Sequence, residues 1–122
     1  MTDSQLISRA QQVVSRTQGK LPQEIRILAD KLPVSYQDWP NAEILGEEFE
    51  DDIMGLFVGE PHNFEGGTGN SVPAQIFLFV ENIYDEAEGE PSRYDEEVRL
   101  TYLHELGHYL GWEEDEVEAR GL

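Results

Sequence analysis

Ser92-Arg93-Tyr94-Asp95-Glu96-Glu97-Val98-Arg99-Leu100-Thr101-Tyr102-Leu103-His104-Glu105-Leu106-Gly107-His108-Tyr109-Leu110-Gly111 is the stretch around which the rest of the chain must organise. Val98, Tyr102, Leu103, Leu106, Tyr109 and Leu110 recur at helical spacing, which predicts an amphipathic helix from about Arg93 to Leu110. Ser92 and Asp95, just after Pro91, have the spacing of a capping box. Gly111 suits the left-handed residue that ends many helices and would turn the chain back on itself. Glu97, Thr101, His104, Glu105 and His108 fall on the side away from the apolar stripe. One face is thus expected to enter a core while the other lines a cleft. Gly107 costs about 1 kcal/mol relative to alanine inside a helix, so a close approach is expected there.

The polar side carries chemistry. His104 and His108 lie one helical turn apart, so their imidazoles can converge on one metal ion. Glu105 projects beside them, where a carboxylate can take a proton from a zinc-activated water. His-Glu-x-x-His is the signature of zinc metallopeptidases, and here it is extended by Gly111 and a carboxylate three residues further on, Glu114. Catalytic zinc needs three protein ligands and an open position, which points to His104, His108 and Glu114 as ligands and Glu105 as the catalytic base. Asp115 is the alternative third ligand if the turn is wider. The run Glu113 to Glu118 also reads as a solvated, acidic helix start, and that is the favoured reading for Glu116 and Glu118. The alternative function is a non-catalytic, acidic protein-binding module whose zinc site is structural or vestigial. A fourth protein ligand such as Asp115 would favour it, because structural zinc sites are closed.

The extended motif resembles that of the zincin-like metallopeptidases, the minimal zincins. Weaker upstream matches follow in order: Leu21-Pro22-Gln23-Glu24 and Leu32-Pro33-Val34, then Met54-Gly55-Leu56-Phe57-Val58-Gly59, then Pro73-Ala74-Gln75-Ile76-Phe77-Leu78-Phe79. The resemblance implies a compact α+β domain: N-terminal helices, a short mixed sheet and the motif helix near the C-terminus. It also implies zinc as cofactor and peptide or unfolded protein as substrate. The family position that matches Glu114 is often Asp, so the ligand chemistry is kept while its geometry changes. In zincins generally a substrate peptide pairs with an edge strand beside the motif helix. That analogy makes Gln75 to Val80 the expected docking strand, with a plain core strand as the alternative.

With 122 residues and 39% hydrophobic content there is room for one core, so residues 1–122 are read as a single domain. A net charge of −18 opposes binding to nucleic-acid phosphates and to anionic membranes, and no apolar run is long enough to cross a bilayer. The same charge would favour cationic peptides, although it also serves solubility. Absence of cysteine excludes disulfides and thiolate-ligated zinc. The polar N-terminus has no signal-peptide pattern, and a cytoplasmic location is expected.

Elsewhere, Leu6, Ile7, Ala10, Val13 and Val14 predict a helix over about residues 3 to 17, ended by Gly19. Pro22 opens a second helix with Ile25, Leu28, Ala29 and Leu32 inward, stopped by Pro33. Val34 to Tyr36 and Ile53 to Gly59 read as strands, and Gln75 to Val80 as a stronger one, too apolar for simple alternation. The acidic stretches Glu43 to Asp52 and Glu81 to Glu97 read as solvated loops and helix faces. His62 to Asn70 reads as a glycine-rich hairpin connection, with a lid over the cleft as the minority alternative; it lacks the lysine of a phosphate-binding loop, and His62 itself is expected in solvent, with a substrate contact or oxyanion donor as the minority alternative.

Overall fold

The computed structural model describes residues 1–41, 51–59 and 73–111. Among these the chain forms four helices and one mixed sheet of three strands: α1 Asp3–Gly19, α2 Gln23–Ala29, β1 Val34–Gln37, β2 Gly55–Val58, β3 Gln75–Phe79, α3 Val80–Glu86 and α4 Pro91–Tyr109. The α+β architecture is therefore as the sequence predicts.

Helix α1 starts where Thr2 and Gln5 close a reciprocal cap: the Gln5 N–H donates to Thr2 Oγ1 at 3.2 Å, and the Thr2 N–H donates to Gln5 Oε1 at 2.9 Å. Leu6, Ala10, Val13, Val14 and Thr17 then form its buried face. Helix α2 is shorter than Pro33 alone would allow. It ends at Ala29, and a turn in which the Leu32 N–H donates to the Ala29 carbonyl brings Leu32 into the core.

Strand β3 lies in the middle of the sheet, parallel to β1 (Val34↔Ile76) and antiparallel to β2 (Gly55↔Leu78). That placement explains its composition. Ile76 and Leu78 enter the core under the helices, while Phe77 and Phe79 stack on the opposite face with Ile53, Leu56 and Val58 packed around them. Both faces are covered, so alternation disappears. It also overturns the expectation that Gln75 to Val80 is an edge open to a peptide. Among the described residues, the edge strand beside the motif helix is β2.

Val80 does not continue the strand. It begins α3, whose buried Val80, Ile83 and the following Ala87 have helical spacing inside a stretch the charge pattern assigns to solvated segments. Asn82 on this helix donates to the carbonyls of Asp51 and Ile53 at 2.7 and 2.8 Å, anchoring the approach to β2.

Helix α4 starts with Pro91 in its first turn and Glu90 as the capping residue, with no side-chain cap bond. The Ser92–Asp95 capping box is not formed. Asp95 instead takes a two-pronged contact from Arg9 of α1, at 2.6 and 2.9 Å. The bidentate guanidinium geometry outcompetes a local cap. Tyr94 donates from its hydroxyl to the Leu6 carbonyl at 2.8 Å, and Gln18 donates to the Tyr102 hydroxyl at 3.1 Å. These contacts fix the long motif helix along α1. Val98, Tyr102, Leu103, Leu106, Tyr109 and Leu110 are all buried, as their spacing predicts, and Gly111 has φ of 76°.

Candidate metal centre

The last two turns of α4 bring three side chains together. His104, Glu105 and His108 each place a ligating atom within 4.8 Å of the others. The two Nε2 atoms of His104 and His108 are 3.1 Å apart, and the rings stand nearly perpendicular, at 86°. Two zinc–nitrogen bonds of about 2.05 Å at a tetrahedral angle would separate their nitrogens by about 3.3 Å. The separation of the imidazole pair is thus close to the bite of one tetrahedral ion. His104 is half-buried and the His108 side chain 47% exposed, so the pair faces out of the fold.

Glu105 differs from its neighbours. It is only 7% exposed, although it sits on the side of α4 that the sequence assigns to a cleft. The reason is β2, which crosses α4 at Gly55. A methyl group on Gly55 would lie 2.6 Å from Thr101 Cγ2 and 3.4 Å from Glu105 Cγ. Only the absence of a side chain lets the strand lie this close, and Thr101 and Glu105 are buried by it. Sequence reasoning passed over Gly55 as one residue of a strand. A glycine inside a strand pattern is the signal that could have marked it.

The strand also supplies a hydrogen bond. The Phe79 N–H donates to the Met54 carbonyl, so Met54, Leu56 and Val58 direct their backbone groups at β3. Gly55 and Phe57 direct theirs outward, and the Phe57 backbone bonds to the Glu105 carboxylate. Burial raises the proton affinity of Glu105 above that of an ordinary carboxyl group; the His104 and His108 charges and the Phe57 bond act in the opposite direction. A carboxylate 4.0 Å from His108 Nε2, held by one backbone donor and biased toward proton uptake, is equipped for proton transfer beside the histidine pair.

A cavity of about 350 Å³ opens next to the group, lined by Met54, Gly55, Glu97, Leu100, Thr101, His104 and Glu105. Another, of about 310 Å³, lies between α1 and the first half of α4 over Val13, Leu21 and Leu103 and includes none of the three clustered residues. Glu114, Asp115 and His62 lie outside the described residues, as do the glycine-rich loop and the acidic run after the motif.

The profile of the zincin-like metallopeptidase family matches residues 29–122, most of the chain. The protein belongs to that family. Its members are zinc-dependent, and the His104–Glu105–His108 group is able to hold a metal ion. The matched span begins at the end of α2, so α1, which packs along the motif helix, precedes it. A comparison with curated proteins returns no match. Among the described residues no helix is long and apolar enough to cross a membrane.

Proposed function

We propose that the protein is a zinc-dependent peptidase in which His104, His108 and Glu114 hold the metal and Glu105 is the general base. The observation that carries this reading is the 3.1 Å separation of the two Nε2 atoms directly beside a buried, hydrogen-bonded Glu105. Zinc, when bound, supplies Lewis acidity that polarises a peptide carbonyl and lowers the pKa of water. The chain's own residues do the rest. Glu105 takes the proton of the attacking water and passes it to the leaving nitrogen. The Phe57 backbone bond holds the carboxylate in place during both transfers, and burial between β2 and α4 keeps bulk water from competing for that proton.

The substrate would lie extended along the outer edge of β2, where Gly55 N–H, Gly55 C=O and Phe57 C=O point away from β3. Glu105→Gln keeps the side-chain shape and removes the base. The variant should retain zinc and lose roughly 100- to 10,000-fold in turnover of a cleavable peptide. Equal turnover by both proteins would remove Glu105 from the mechanism. Binding without hydrolysis in the wild type would favour a non-catalytic protein-binding module.

A further inference from the structure

We infer that the cavity beside the histidine pair is a subsite for a lysine or arginine side chain of the substrate, selected by Glu97. The inference rests on the peptidase reading above and names its preferred substrate. Glu97, Thr101, His104 and His108 form one stripe of α4 at intervals of four, three and four residues. Seven residues separate Glu97 from His104, about 10 Å along the helix axis. Only a long side chain of a residue bound near the histidines would span that distance.

The lining matches such a side chain at both ends. Leu100 is 44% exposed, unlike the fully buried Val98, Tyr102 and Leu106 of the same helix, and with Met54 it gives the cavity an apolar wall. An aliphatic stem would cover that wall while its charged head continued to Glu97. The acidic residues just before Glu97 are already engaged: Asp95 with Arg9, and Glu96 with Arg99. Among the described residues Glu97 makes no ion pair, although it is half-buried and lines the cavity. A neutral aliphatic side chain would desolvate this carboxylate without replacing its hydrogen bonds, and an acidic one would be repelled. A lysine or arginine head does neither.

The test uses acetylated, amidated alanine hexapeptides with lysine, norleucine or glutamate at one position, moved through the sequence. Binding is measured by titration calorimetry on the zinc-loaded Glu105→Gln protein, where no turnover occurs. Lysine should bind better than norleucine by about three- to tenfold at its best position. The ratio should shrink between 0.1 and 1 M salt, as the Debye length falls from about 10 to about 3 Å. It should vanish when Glu97→Gln is added and turn toward glutamate with Glu97→Lys. Thermal melting of each variant verifies that it is folded. Equal binding of lysine and norleucine, a lysine preference that survives Glu97→Gln, or no measurable binding of any peptide overturns the subsite. If the wild type cleaves none of the peptides while the Glu97-dependent preference holds in binding, the subsite stands and the peptidase reading falls.

Discussion

Replacing Gly55 with alanine sets two effects of opposite sign against each other. Its φ is not in the left-handed region, so alanine suits the backbone there. On that ground alone the substitution would stabilise the fold by about 0.4–1 kcal/mol through the unfolded chain. The structure predicts the reverse. The new Cβ would sit 2.6 Å from Thr101 Cγ2 and 3.3 Å from the Phe77 carbonyl oxygen. Carbon atoms in contact prefer about 3.5–4.0 Å, so β2 and α4 must separate by roughly 1 Å. Phe77 O belongs to the central strand and Thr101 is buried, and neither is a free side-chain end. Overpacking of this kind costs about 1–3 kcal/mol. For a chain this size, between the 60–100- and 150–250-residue ranges, that is a fall in Tm of about 3–15 °C. Under the proposed mechanism activity should fall further, because a 1 Å displacement of Glu105 as the base would cost about 100-fold. Differential scanning calorimetry of Gly55→Ala, Thr101→Ser and the double variant reads the coupling. The serine removes the clashing methyl, so the pair should recover much of the lost stability. A Gly55→Ala protein as stable and active as the wild type would show that β2 does not pack this closely on α4, as would strict additivity of the two changes.

Zinc content by mass spectrometry should be one ion per chain, and His104→Ala or His108→Ala should abolish tight binding while leaving the fold intact. Calorimetric titration should show Glu114→Ala weakening zinc more than Asp115→Ala; the reverse order would move the third ligand by one residue. Glu81 shares a hydrogen bond with Asp3 and lies near Asp38 and Asp85, which pushes its carboxyl up to about 7. A raised folded-state value means that the folded protein holds a proton the unfolded chain has released. Stability from this group is therefore present at low pH and lost as pH rises through about 7. Glu81→Gln should melt a few degrees above the wild type at pH 8 and close to it at pH 5, and a wild-type advantage at pH 8 would contradict the assignment.

The apolar spacing of Leu6 to Val14 and of Val98 to Leu110 was enough to place α1 and α4 within a few residues, because each helix buries a face whose period is local. The His104–Glu105–His108 group was legible for the same reason: one turn of one helix sets its geometry. Helix α3 was missed because its apolar positions, Val80, Ile83 and Ala87, adjoin an apolar strand and are diluted by Glu81, Asp85 and Glu86. The Ser92–Asp95 cap failed because a residue 86 positions away, Arg9, competed for the same carboxylate.

Strand order was beyond the sequence. Gln75 to Phe79 shows that both faces are covered, but a strand in mid-sheet and an edge under a helix carry the same apolar run. Only the pairing of β3 with both β1 and β2 put it in the centre and left β2 beside the motif helix. The environment of Glu105 was also decided there. Its position between the histidines follows from helical repeat alone, whereas its burial, its Phe57 hydrogen bond and its raised proton affinity come from a strand some fifty residues earlier, brought close at Gly55. The sequence thus determined which groups can meet a metal, since that is a property of one helix. Tertiary structure decided how one of them is desolvated, since desolvation depends on what the rest of the chain lays against it.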